Sequence, residues 1–232
     1  MADDLSRRAL LKSTGIFAIL GSSMRTTFGQ SRPPAGSGEI MSAITAYMSQ
    51  AATHQLPEAV VEKTKHVILD TLAAMISGSE LPPGKFAIQF ARGYKGEKIA
   101  TIAASNLLCG PIDAALVNGM LAHSDETDDT HSFSISHPGC SVVPAALAVG
   151  EQFGIDGTRF MRAVALGYDI GTRVTITLGR LPYMAETHRS THAICGTFGS
   201  AAAAACAANL TQQQMRWVLS YTGQQASGLA SW

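Results

Sequence analysis

The chain has 232 residues, 46% of them hydrophobic and only 15% charged, and its 17 basic and 17 acidic residues give a formal net charge of zero. That length supplies ample core for one large domain or two small ones, and without a basic patch nucleic-acid binding is excluded. So thin a charge complement fits either a large buried core or a surface that another domain or subunit covers.

At the N-terminus, Ser6-Arg7-Arg8-Ala9-Leu10-Leu11-Lys12 reads as a twin-arginine export signal, S-R-R-x-x-L-K. The apolar segment after it, Ser13 to Met24, is too short to span a bilayer. Small residues at Thr27 and Gly29 permit cleavage before Gln30. Residues 1–29 are therefore expected to be a removable signal that sends the protein to the periplasm, or otherwise out of the cytoplasm, without stable membrane insertion. Losing them removes Arg7, Arg8, Lys12 and Arg25 against Asp3 and Asp4, which leaves a slightly acidic mature chain. Residues 30–38 (QSRPPAGSG) form a flexible linker, and residues 39–232 form the domain.

Within that domain Glu39–Ala52 reads as a helix. Pro57 opens a stronger one, to Gly78, with proline in the first turn, Glu58 near the positive end and apolar residues at helical spacing. Pro82-Pro83-Gly84 is a break before a shorter helix, Lys85–Gly93. Lys98–Ala103 is a short strand or extended segment. Gly110-Pro111 starts a helix that leads into an acidic segment, and Ser141–Phe153 is an apolar helix. Asp156 caps a long helix, Arg159 to about Leu178, in which Gly167 and Gly171 allow close contact with a neighbour. A Gly/Ala-rich helix lies in Thr191–Asn209, and Thr211-x-x-Gln214 is a capping box for a last one. No repeat or series of alternating strands appears, so the fold class is mainly α. Cys109, Cys140, Cys195 and Cys206 show no C-x-x-C pair, which argues for buried free thiols and against a zinc ribbon or cluster motif.

The densest chemistry lies in His123–Cys140, HSDETDDTHSFSISHPGC. It holds His123, His131 and His137 with Asp125, Glu126, Asp128 and Asp129, and no lysine or arginine. Crowded carboxylates shift pKa values, which suits proton transfer or metal binding. If the helix from Pro111 continues, His123, Glu126 and Thr130 share one face and Asp125 and Asp129 the next. Pro138 holds His137 out of a helix, on a loop, where an imidazole is normally just solvated but, beside carboxylates, is placed for acid–base work.

The succession A-A-L-x-N-G (Ala114–Gly119), H-S-x-E-x-D-D-T (His123–Thr130) and H-P-G (His137–Gly139) resembles the MmgE/PrpD family, which includes 2-methylcitrate dehydratases, cis-aconitate decarboxylases and iminodisuccinate epimerases. Ile68–Gly78, Gly167–Val174 and the H-x-x-x-G-T-F-G-S-A-A-A-A run from His192 add to it. The resemblance implies a large all-α domain and a smaller α/β lid domain. This chain would hold only the N-terminal portion of the helical domain, an incomplete one with the lid absent. Trp232, with neither cap nor polar tail, agrees with a truncated chain.

The resemblance also implies a homodimeric lyase or isomerase, free of cofactor and metal, that transfers protons next to a carboxylate of a small polycarboxylic acid, by dehydration, decarboxylation or epimerisation. Carried over by position, His137, Glu126 and Thr130 are the catalytic candidates, with Glu126 where many relatives have Asp. Relatives commonly have a site histidine six residues before the glycine that here is Gly196. This chain has Ser190 there, with His188 and His192 beside it, and His192 is the preferred substitute. A lysine of the family pattern falls beyond Trp232.

The residues fit such chemistry. Proton removal beside a carboxylate needs a base, an acid and donors for developing negative charge. Asp129, His192 and Arg189 are the substrate-binding candidates, Arg189 as a carboxylate clamp or a plain surface arginine. The start of the alanine-rich helix offers backbone N–H groups to an anion or, more simply, small residues for packing. Two alternatives remain: a metal-dependent hydrolase using His123, Asp125, Asp128, Asp129, His131 and His137, and a remnant that binds a ligand without turnover.

Overall fold

The computed structural model describes residues 37–94 and 96–230. The proposed export signal, and the linker up to residue 36, lie outside the described residues. Among the described residues, nine helices and one two-stranded antiparallel sheet follow in chain order: α1 (Ser37–Gln50), α2 (Glu58–Ser79), α3 (Pro82–Arg92), β1 (Ala100–Thr101), β2 (Leu108–Cys109), α4 (Pro111–Ala122), α5 (Gly139–Phe153), α6 (Gly157–Leu178), α7 (Leu181–Thr187), α8 (Thr191–Ala207) and α9 (Gln212–Gln225). The mainly α expectation holds. Among the described residues no helix is long and apolar enough to cross a membrane.

The two capping residues marked in the sequence, Asp156 and Thr211, do cap their helices. Asp156 accepts from the Arg159 N–H at 2.7 Å at the start of α6. Thr211 and Gln214 form the full capping box of α9. The expected break at Pro82-Pro83 instead lies inside α3. Both prolines occupy first-turn positions, where a missing N–H costs nothing, and Leu81 is the extended residue before them. α7 was not expected. Gly179 (φ 107°) and Arg180 (φ 58°), both left-handed, end α6 and turn the chain into this short extra helix.

The core joins buried Met48 of α1, Met75 of α2, Val117 and Leu121 of α4, Val142 of α5, Val164 of α6 and Met215 of α9. Asn118, fully buried, clamps the small sheet onto α4. Its Oδ1 accepts from the Ala103 N–H at 2.8 Å and its Nδ2 donates to the Thr101 carbonyl at 2.9 Å. The most extensive helix pair is α6 with α8. There the expected glycine contact is real: a Cβ on Gly167 would lie 2.8 Å from the Gly199 carbonyl oxygen, and one on Gly171 would lie 2.7 Å from that of Cys195. All four cysteines are free thiols, and burial pushes Cys195 and Cys206 up to about 11. Some of the apolar surplus is on the surface, with Leu69, Ile76, Phe86 and Phe90 of α2 and α3 well exposed.

Candidate functional site: a histidine cluster above two helix junctions

α4 stops at Ala122, and His123 is its C-cap. The shared helical face of His123, Glu126 and Thr130 therefore does not form, and Glu126 takes a left-handed φ of 54° on an exposed loop. The three aspartates of the crowd each find a partner of their own. Asp125 accepts from Ser77 Oγ of α2 at 2.6 Å and from Thr127 Oγ1 at 2.7 Å, which lowers its pKa. Asp128, whose side chain is fully buried, holds both oxygens 3.1 Å from His123 Nδ1. Asp129 accepts from the Gly139 N–H at 2.7 Å through Oδ1 and from the Tyr168 hydroxyl at 3.0 Å through Oδ2.

The loop between Asp129 and α5 is pinned from below. His131 and Ser136 form a bridge, with the His131 N–H 2.9 Å from the Ser136 carbonyl. Thr191 of α8 donates to the Ile135 carbonyl at 2.6 Å, and the Arg180 guanidinium lies 4.4 Å over the Phe133 ring. His137 leaves this loop just before α5. Its Nδ1 lies 2.9 Å from the Asp129 carbonyl oxygen. A carbonyl only accepts, so Nδ1 carries the proton, and in the neutral ring the lone pair is on Nε2. Thr130 Oγ1 is 3.4 Å from the same Nδ1.

Three imidazoles gather here. The His137 ring centroid is 5.8 Å from that of His123 and 4.8 Å from that of His192, so His137 is central. His192 comes from the first turn of α8, which Ser190 caps by accepting from the Ala193 N–H. Burial, then the neighbouring His137 and His123, lowers the His192 pKa. Burial raises that of Asp129 against the lowering effect of its two donors, and it drives Tyr168 far up.

Of the residues singled out from sequence, His137, His192, Thr130 and the Asp129 main chain come together. The Asp129 carboxylate turns away to Gly139 and Tyr168. Glu126 stands at the exposed rim. Arg189 is exposed on the segment that bridges to Leu229. The six residues of the metal alternative separate: Asp125 goes to α2, Asp129 to α6, and His131 bonds Ser134 within its own loop. His123 and Asp128 stay together beside His137. Sequence reasoning gave no role to Tyr168 or Cys140. Tyr168 sits in the Gly167–Val174 segment that carried part of the resemblance, which was the available signal for it.

The sequence matches the MmgE/PrpD N-terminal domain over residues 42–232. It is 28% identical over 181 residues to a cis-aconitate decarboxylase-like protein of Aspergillus oryzae, covering 75% of this chain and 36% of that protein. It is 28% identical over 202 residues to a cis-aconitate decarboxylase of Aspergillus terreus, covering 83% and 40%. It is 29% identical over 171 residues to the cis-aconitate decarboxylase of Homo sapiens, covering 71% and 35%. The chain thus spans well under half the length of these relatives.

Proposed function

The chain belongs to the MmgE/PrpD family through residues 42–232, and on that premise we propose that it is the helical part of a lyase-type enzyme that transfers a proton next to a carboxylate of a small polycarboxylic acid. The similarity to cis-aconitate decarboxylases favours decarboxylation of a cis-aconitate-like acid over dehydration or epimerisation. The observation that carries the reading is the imidazole trio centred on His137, whose Nδ1 is tied to the Asp129 carbonyl.

That bond fixes the ring so that Nε2 does the proton work. As a lone pair it takes a proton from carbon; protonated, it delivers one to the carbon that loses carbon dioxide. His123, with the buried Asp128 carboxylate at its Nδ1, is oriented by that carboxylate toward a substrate carboxylate. His192, kept neutral by burial, adds a hydrogen bond without competing charge. Thr130 supplies a hydroxyl, and Glu126 and Arg189 border the site. The same reading takes the protein as an exported homodimer that needs no cofactor.

Proton NMR of the imidazole C–H signals, with cis-aconitate titrated into metal-free protein, tests the binding half. Signals of His123, His137 and His192 are expected to shift with the tricarboxylate and not with acetate. Turnover of cis-aconitate is expected to fall at least about a hundredfold in His137→Gln. Unshifted histidine signals, or wild-type turnover in that variant, would refute the reading. Binding without turnover by the unaltered protein would favour a ligand-binding remnant.

A further inference from the structure

Cys140 is the second residue of α5; it packs against the core, and its thiol donates to the His137 carbonyl at 3.2 Å. His123 Nδ1, an Asp128 carboxylate oxygen and Cys140 Sγ all lie within 4.8 Å of one another. Two of the three are already closer, at 3.1 Å. The ligand atoms of a tetrahedral zinc ion stand about 3.4 to 3.7 Å apart, given bonds of about 2.0 to 2.3 Å. Closing this triangle therefore asks Cys140 to move by about an ångström, well within a rotamer adjustment.

The surroundings suit a metal. The Asp128 side chain is fully buried, while His123 is 48% exposed, so the carboxylate forms the floor of the triangle and the imidazole its rim. His123 and Cys140 both open onto a groove of about 970 Å³, lined also by Ser141, Thr197, Leu116 and Met120. The first turn of α5 presents its positive end to Cys140, which favours a thiolate. Burial and then the Asp128 charge act against that thiolate and push Cys140 up to about 12. A divalent cation between the two groups would reverse the second of these effects.

We propose that His123, Asp128 and Cys140 form a binding site for zinc or a similar soft divalent cation, with one coordination position open to the groove for water or a ligand carboxylate. Binding proceeds with a balanced proton count. Cys140 loses its thiol proton to solvent as the sulfur–metal bond forms. His123 moves its remaining proton from Nδ1 to Nε2, freeing the Nδ1 lone pair, and Asp128 exchanges its hydrogen bond for the metal. One proton is released per ion. Three protein ligands and an open fourth position are the pattern of a reactive or ligand-accepting zinc centre rather than a closed structural one.

This site shares His123 with the proton-transfer reading, and because the NMR titration above uses metal-free protein the two fail separately. The test loads the protein with zinc, dialyses it and measures bound metal by mass spectrometry, then repeats the loading with cobalt(II) and records its spectrum. One zinc per chain and a thiolate-to-cobalt charge-transfer band are expected. Cys140→Ser should weaken zinc binding by more than the roughly hundredfold that loss of an outer hydrogen-bond partner costs, with circular dichroism unchanged. Cys195→Ala should bind as the unaltered protein does. Zinc lost on dialysis, a cobalt spectrum without the thiolate band, or undiminished binding by Cys140→Ser would each overturn the proposal. The spectrum of the unaltered protein decides the matter even if Cys140→Ser fails to fold.

Discussion

Replacing Asp129 probes the joint between the site loop, α5 and α6. Its carboxylate is the acceptor for the Gly139 N–H at 2.7 Å and the Tyr168 hydroxyl at 3.0 Å. Asp129→Ala strands both donors in a largely buried place, at about 1–3 kcal/mol each. Tyr168 can turn toward nearby Thr71, which puts the expected loss near 3 kcal/mol rather than at the top of that range. For a domain of this size that is a fall of about 6–12 °C in Tm. Asp129→Asn keeps an oxygen for Gly139 and offers an amide N–H to the Tyr168 oxygen, so it should stay within about 1 kcal/mol of the parent. The pH dependence gives a second arm. The Asp129 pKa is raised, mainly by burial. Its contribution is therefore fully present below its unfolded value of about 3.9 and lost as pH rises through the folded one. Asp129→Asn should gain on the parent as pH rises through that window. Urea titrations read at several pH values measure all three proteins. Equal losses for Ala and Asn, or none for Ala, would refute the account of Asp129 as a shared acceptor.

Other consequences can be checked in the same way. Gly139→Ala places a Cβ against Asp129, Thr71 and Tyr168 at once, and should cost about 1–3 kcal/mol in chemical denaturation. Gly171→Ala drives a Cβ to 2.7 Å from the Cys195 carbonyl oxygen, so it should cost a similar amount, about 1–3 kcal/mol, by forcing α6 and α8 apart. The depressed pKa of His192 means that the unfolded chain takes up the proton first. Stability should then fall as pH drops below about 6.5 toward the folded value, and His192→Gln should flatten that part of the urea-midpoint profile. Thr211→Ala removes the capping box of α9 and should cost about 0.5–2 kcal/mol, read as a lower Tm.

The helical frame was legible wherever local chemistry ended an element. Asp156, Thr211 and the apolar spacing after Pro57 mark their helices without tertiary help. α3 was misjudged at its start because Pro82-Pro83 fits both a break and a first turn, and Leu81 decides between them. α7 was missed because two left-handed residues in succession restart a helix within a segment that lacks an apolar period. At the site, the sequence marks His137 but not what orients it, since the Asp129 carbonyl is a main-chain group. It shows carboxylates in a crowd but not their separate donors, because Ser77 and Tyr168 arrive from distant helices. His192 entered as the substitute beside Ser190, where the family pattern has a histidine, whereas its distance from His137 depends on packing no local pattern encodes.

That packing has a further consequence. α8 carries His192 in its first turn and meets α6 through Gly167, Gly171 and Gly199, where backbone touches backbone. A slip of one residue in α8 would rotate His192 by about 100° and shift it by about 1.5 Å, and any side chain broader than hydrogen at those glycines would hold the helices off. The contact therefore works as a ruler: the placement of the His192 imidazole is gauged by glycines as far as two helical turns along α8 and on the facing helix.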